Sequence, residues 1–214
     1  MIRYISAVEL VTYPKLFDSM LRDRAIQFHQ RLNWDVSVDD NGFERDEYDM
    51  RNPLYILWET ASGEHGGSMR FMPTTAATMV NDHFSDLAGR KIRDPHIWET
   101  TRFCVSPSAQ DGGRIAALLM LAGAQFGVGQ GLSHAVGVFD ARMIRIYRKL
   151  GWLPQILGTQ GHGRDAISTG LWAFGATPLR NLSQKAGVSL EVSSHWYTRA
   201  FGQRAGVNKD LVAA

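Results

Sequence analysis

The chain has 214 residues, 44% apolar and 21% charged, enough apolar mass for a buried core and too little charge for wholesale disorder. Its 23 Lys and Arg against 21 Asp and Glu leave a net charge of +2, which excludes the basic excess of a dedicated nucleic-acid binder. A lone cysteine, Cys104, excludes an internal disulfide and a multi-cysteine zinc site. The first ten residues contain no extended apolar stretch and are interrupted by Glu9, so no secretion signal is expected. The longest nearly unbroken apolar run, Ile115 to Ala124, is about half of the roughly 20 residues a membrane span needs. These features predict a cytoplasmic protein with one domain over 1–201 and a flexible tail over 202–214.

In chain order, Pro14 to Leu32 reads as a helix, with Pro14 suited to its first turn. Leu54–Trp58 and Ser68–Met72 read as short strands joined by the turn Ser62-Gly-Glu-His-Gly66. Ile97 to Val105 is a further strand, and Gly113 to Gly127 a helix with Ile115, Leu118, Leu119, Ala122 and Phe126 on one stripe. Ser133–Val138 reads as a strand and Ala141–Leu150 as a basic amphipathic helix stopped by Gly151. Strand-like segments follow at Leu153–Leu157 and Ile167–Phe174. The alternation predicts an α/β fold, a mixed sheet with helices on both faces. An acyltransferase-type three-layer sandwich is compatible with this order, as are other α/β folds.

Several residues do not fit a bland core. Phe17, Leu21, Arg24 and Phe28 are spaced to share one helix face. Arg24 therefore either snorkels to water at the edge of the stripe or meets a carboxylate. The run Glu44-Arg-Asp46-Glu-Tyr-Asp49 offers candidates, because one turn aims Asp46 and Asp49 at the same point. Those two carboxylates would meet Arg24 or face a cationic ligand; otherwise the run is a solvated acidic loop.

In Trp98-Glu99-Thr-Thr101-Arg102-Phe103-Cys104-Val105, strand alternation sets Glu99 with Thr101, Phe103 and Val105, and Arg102 with Trp98 and Cys104. A charge on each side of an apolar strand is costly unless it is paired. Either this is an ion-paired edge strand, or a β-bulge brings Glu99 and Arg102 toward one cleft. Arg70, inside Met69-Arg-Phe-Met72, poses the same question. Cys104 reads as a small core residue. No metal-ligand spacing, nucleophile elbow or phosphate loop of the Walker type occurs in the sequence.

Taken as a set, Arg24-x3-Phe28-x5-Trp34, Asp46-Glu-Tyr-Asp49, Arg70-Phe-Met-Pro-Thr-Thr, Phe84 and Trp98-Glu99-Thr-Thr-Arg102-Phe resemble the acyl-homoserine lactone synthase (autoinducer synthase) family. The match runs from about Arg22 to Trp152. The resemblance implies an acyltransferase-like fold with a V-shaped acyl-pantetheine cleft and no cofactor. S-adenosylmethionine would be a consumed substrate, acylated on its amine by an acyl thioester of acyl carrier protein and then closed to the lactone with loss of methylthioadenosine. It implies Glu99, Arg102 and Asp46 as catalytic residues, with Glu99 as proton acceptor. Arg24, Phe28, Trp34, Asp46, Asp49, Arg70, Phe84, Thr101 and Arg102 would bind S-adenosylmethionine. Phe103, Val105, Val136 and Val138 would line the acyl cleft. The helix face of Arg142, Arg145, Arg148 and Lys149 would dock the acidic carrier protein.

General acyltransferases hold coenzyme A pyrophosphate in a Q/R-x-x-G-x-G/A loop. Here Gln110-Asp-Gly-Gly113-Arg-Ile115 departs from it at the last small position, as suits a carrier-protein donor. In relatives that make 3-oxo products, a threonine in or just after the strand near 135–139 is associated with the C3 oxygen. Here Ala135-Val-Gly-Val-Phe139 has no hydroxyl, and a buried carbonyl without a donor costs about 1–3 kcal/mol, so an unsubstituted chain is expected. The competing readings are an N-acyltransferase using acyl-coenzyme A and an inactive relative that senses S-adenosylmethionine. No nucleic acid or membrane span enters any of them.

Overall fold

The computed structural model describes residues 1–202; the tail expected over 202–214 lies, after Gly202, outside the described residues. In chain order the elements are β1 (Ile2–Ser6), α1 (Ala7–Leu10), α2 (Pro14–Arg24), β2 (Leu54–Glu59), β3 (His65–Pro73), α3 (Met79–His83) and β4 (Ile97–Val105). There follow α4 (Gly112–Gly129), β5 (His134–Asp140), α5 (Ala141–Leu150), β6 (Gln155–Gln160), β7 (Ile167–Ala173), α6 (Ala176–Ala186) and α7 (Leu190–Phe201). The strands form one mixed seven-stranded sheet in the order β1-β2-β3-β4-β5-β7-β6. This is the α/β class with a mixed sheet that the alternation predicted, in line with the acyltransferase-like fold that the resemblance implied.

The described chain divides into two compact units, Met1–Phe71 with Arg102–Leu119, and Met72–Thr101 with 120–202. In the first, Ser6 and Glu9 cap α1 reciprocally through each other's backbone N–H, satisfying donors that a helix start leaves open. β1, β2 and β3 pair antiparallel, with Ile5 opposite Tyr55 and Tyr55 opposite Arg70. The core beneath them gathers Ile5, Leu10, Leu16, Met20, Leu21, Tyr55 and Leu57. β3 is buried along nearly its whole length, which is why its sequence reads as an apolar run rather than an alternation.

In the second unit, β4 and β5 pair in parallel only from Ile97↔His134 to Glu99↔Val136, although both strands continue beyond that point. At Gly137, next after the last pair, the backbones are still close: a Cβ there would lie 2.9 Å from the Thr100 carbonyl oxygen. β7 pairs antiparallel with both β5 and β6. One face of β5 and β7 presents Val136, Val138 and Leu171 to Val80, Ala88 and Ile92. The other face carries Phe139 and Trp172, which pack edge-on with Tyr147 of α5.

By length and composition α4 would suffice to cross a membrane. Its residues Ala117 to Ala122, Ala124 and Phe126 are buried inside the protein, as in a core helix.

The strand Ile97–Val105 and the helix Ala141–Leu150 lie where the sequence puts them. β1, α1, α3, α6 and α7 escape the sequence reading, since three of them have five residues or fewer and too little length to show a period.

Candidate active site

The helix that begins at Pro14 does not run regularly to Leu32. After Arg24 it widens into a π-helix over Ala25–Arg31, a form frequent at functional sites. The stripe expected from spacing is real: Leu21, Arg24 and Phe28 are all buried. Arg24 does not snorkel; it is 0% exposed and meets carboxylates.

Its Nε donates to Glu44 Oε2 at 2.5 Å, and its Nη1 and Nη2 donate to the two oxygens of Asp49 at 3.1 and 2.8 Å. Arg70 approaches from β3, donating through Nη1 and Nη2 to both oxygens of Asp46 at 2.5 and 2.8 Å and through Nη1 to Asp49 at 2.7 Å. Arg102, from β4, donates to Glu44 Oε1 through Nε at 3.1 Å and Nη2 at 2.8 Å, and its Nη2 lies 2.8 Å from Asp46 Oδ2. Tyr55 donates its hydroxyl to Asp49 Oδ1. Three arginines and three carboxylates thus share one site with formal charges that cancel.

The acidic loop reaches this point through local hydrogen bonds. Asp46 Oδ1 accepts from the backbone N–H of Tyr48 and Asp49, and Asp49 Oδ2 accepts from the N–H of Asp46. Asp and Asn favour such turns because the short side chain reaches its own backbone. The spacing between Asp46 and Asp49 therefore does what it promised. Both carboxylates are taken by arginines, the pairing reading rather than a bare anionic face.

Electrostatics follow from burial and pairing. Burial alone would raise the Asp46 and Asp49 carboxyls, but Arg70 and Arg102 hold Asp46 below the usual range, and Arg24 and Arg70 hold Asp49 far below it. Burial would lower Arg24 and Arg70, yet Asp49 with Glu44, and Asp46 with Asp49, raise them above the ordinary arginine value. Asp46, Asp49, Arg24 and Arg70 therefore hold their charges at neutral pH. Arg24, Glu44 and the Arg70 side chain are sealed, whereas Asp46 and Arg102 keep 11% and 10% exposure. That edge is the partly exposed side of the cluster, with Phe28 and Trp34 beside it. Their rings stack at 5.3 Å and 8°, and the Arg102 guanidinium lies 5.5 Å over Phe28.

Arg102 itself has a φ of +54°, uncommon for a non-glycine residue. Burial along β4 shows the consequence. Glu99 and Thr101 are buried two apart, and the next buried residue, Cys104, falls three later. The alternation shifts at Arg102.

Glu99, 1% exposed, has a clear local role in the second unit. Its two carboxylate oxygens accept from the backbone N–H of Met79 (3.1 Å) and Val80 (2.5 Å). They cap α3, a task that the side chain of Thr78 leaves undone. Phe84 packs with Val136 and Val138 in the apolar cluster of that unit. Thr101 is buried, and Phe103 and Val105 are half-buried on β4. Arg142, Arg145, Arg148 and Lys149 are exposed on α5, with Arg142 bonded to the capping Asp140. Cys104 is buried, and burial pushes its thiol up to about 12, the opposite of an activated nucleophile.

Three participants escaped the sequence reading. Glu44, read only as part of an acidic run, is the anion shared by Arg24 and Arg102. Tyr55 is legible only through strand register, which places it opposite Arg70. His65 sits between Asp23 Oδ2 (2.7 Å from Nδ1) and Ser68 Oγ (2.9 Å from Nε2). Ser68 is sealed from solvent, so this trio ties α2 to β3 rather than meeting a substrate. A cavity of about 370 Å³ is lined by Trp58, Ser106, Ser108, Gln110 and Arg114, at the loop expected to resemble a pyrophosphate site.

Comparison with known proteins adds the following. Residues 8–169 match the family model for autoinducer synthases. The chain is 36% identical over 205 residues to the acyl-homoserine-lactone synthase of Rhizobium etli, covering 93% of this chain and 96% of that one. It is 34% identical over 162 residues to the synthase of the same name from Agrobacterium fabrum, covering 72% and 76% of the two chains. In fold it is similar to a CoA-dependent acyl-homoserine lactone synthase solved with SAM and isopentyl-CoA, at a TM-score of 0.78 and 24% identity, over 92% of this chain and 98% of that one.

Proposed function

Because the chain belongs to the autoinducer synthase family, we propose that it joins an acyl group to the amine of S-adenosylmethionine and closes the product to an N-acyl-homoserine lactone. The observation that carries this reading is the neutral cluster whose edge offers Arg102, Asp46 and an aromatic pair together. S-adenosylmethionine presents a carboxylate, an ammonium, a sulfonium and a purine. Arg102 suits the carboxylate, Asp46 the ammonium, and Phe28 with Trp34 the sulfonium and the ring. The sealed arginines behind, Arg24 on Glu44 and Asp49 and Arg70 on Asp46, hold that edge rigid before the substrate arrives.

The chemistry asks little more of the chain. The neutral amine attacks the thioester carbonyl, forming the C–N bond; the C–S bond breaks and the thiol leaves with a proton. Glu99 takes the proton that the amine loses, directly or through water, and returns it to the departing thiolate, so that one proton passes from amine to thiol. Its fixed orientation on the α3 cap and its place where β4–β5 pairing ends favour it for that task. The substrate carboxylate then displaces the sulfonium, closing the lactone and releasing methylthioadenosine. S-adenosylmethionine is consumed rather than retained as a cofactor.

For the donor we favour acyl carrier protein over coenzyme A, in the cytoplasm where both occur. Ile115 at the last small position of the loop and the exposed basic face of α5 support this. Supplying one acyl group on carrier protein and on coenzyme A, and comparing kcat/KM for lactone formation, tests it. A clear advantage for coenzyme A would reverse the assignment and leave the lactone reaction intact.

A further inference from the structure

Thr169 stands in the middle of β7, 0% exposed, and its hydroxyl has no hydrogen-bond partner. Register sets it directly opposite Val138 on β5 and Gly158 on β6. Strand alternation puts it on the face of Leu171, itself opposite Val136. That face is the apolar cluster of Val80, Ala88, Ile92 and Val136, with Phe84 and Val138 against it.

A bare hydroxyl in such a place is unfavourable, because its lost hydrogen bonds to water are not replaced. Valine has nearly the same shape and no such cost. The hydroxyl is therefore explained best by a partner that arrives with a ligand.

The geometry limits how that partner arrives. From above, the chain around Leu87 closes on the sheet so tightly that a Cβ at Gly158 would fall 2.0 Å from the Leu87 carbonyl oxygen. Along the sheet the way is different: β4–β5 pairing ends at Glu99↔Val136, and Val138, the neighbour of Thr169, lies two residues beyond on β5. The line along β5 from the end of that pairing to Thr169 passes over Val138.

We propose that Thr169 determines acyl specificity, its hydroxyl donating to a keto or hydroxyl oxygen on the acyl chain, carried on carbon 3 in the commonest oxygenated acyl thioesters. The proposal rests on the lactone-synthase reading above. It reverses the expectation of an unsubstituted chain, which considered the hydroxyl-free stretch Ala135–Phe139 alone and not the strand paired to it.

The test gives the purified full chain S-adenosylmethionine and an equimolar mixture of unsubstituted, 3-oxo and 3-hydroxy acyl thioesters of equal length, on carrier protein and on coenzyme A. Lactones are counted by mass spectrometry for the wild type, T169V, T169A and T169S. The wild type should favour one oxygenated donor about tenfold. T169V and T169A should lose that preference while still making the unsubstituted lactone, and T169S, which keeps a hydroxyl, should retain it. T169V should melt no lower than the wild type. A wild-type preference for the unsubstituted donor, or an unchanged product ratio in a folded T169V or T169A, overturns the proposal. No lactone from any donor in the wild type overturns the synthase reading instead, and this proposal with it.

Discussion

Arg102 Nη2 lies 2.8 Å from Glu44 Oε1, although 58 positions of sequence separate the two residues. The contact joins the one β4 residue with a left-handed backbone to an acid that is wholly buried. Glu44 also accepts from Arg24, so an irregular strand, a widened helix and an acidic loop are held by one carboxylate. Backbone strain of about 1–3 kcal/mol persists only where its surroundings over-determine it, and Glu44 with Asp46 supplies that constraint.

Removing one member of the sealed cluster should therefore be severe. R24M leaves Glu44 and Asp49 without their main partner in a dry site, and a loss of about 3–5 kcal/mol in unfolding free energy is expected. The exposed pair Lys15–Glu64, 3.5 Å apart, provides the contrast: K15A should cost less than about 1 kcal/mol. Urea unfolding of both variants at neutral pH checks the difference.

Glu99→Gln separates the capping role from proton transfer. Glutamine offers one oxygen where Glu99 serves two backbone N–H groups, so a stability loss of about 1–2 kcal/mol is expected. If Glu99 is also the proton acceptor, turnover should fall by roughly 10²–10⁴-fold in a protein that remains folded. Loss of stability with near-normal turnover leaves Glu99 as a cap alone.

Much of this was legible in sequence, and the reason is local. Arg24 betrayed itself by standing on an apolar stripe, and Asp46 and Asp49 by a spacing that one turn converges. What was not legible depends on distant pairing. Glu44 is indistinguishable from a solvated acid until β4 is irregular at Arg102, and Tyr55 joins the site only because strand register sets it opposite Arg70. The capping of α3 by Glu99 was hidden for a similar reason, since a five-residue helix leaves no periodicity to read.

Acid stability should show two limbs. Burial, opposed by Asp23 and aided by Arg24, lowers His65 from its ordinary 6.5, so the folded protein refuses a proton that the unfolded chain accepts. Above pH 6.5 both forms are neutral and His65 contributes nothing; as pH falls below 6.5 stability declines. H65Q should flatten this limb. Asp46 and Asp49, held below the ordinary 3.8, add stability that is full above that value and is lost on further acidification, so a second limb should persist in H65Q. Thermal melts from pH 8 to 3 distinguish them.

The exposed face of α5 should act through long-range charge. R145E/R148E should raise the KM for a carrier-protein donor, with little change in kcat and a smaller penalty as salt screens the charges. The same variant should be indifferent to an acyl-coenzyme A donor. Steady-state kinetics at two ionic strengths decides whether carrier protein docks there.

The most direct measurement incubates the purified protein with S-adenosylmethionine and acyl thioesters and follows both products by mass spectrometry. The account predicts acyl-homoserine lactone and methylthioadenosine appearing in equal amounts, with both abolished together in a folded R102A variant. An acylated amine product without methylthioadenosine, or binding of S-adenosylmethionine with no turnover of any thioester, would contradict it.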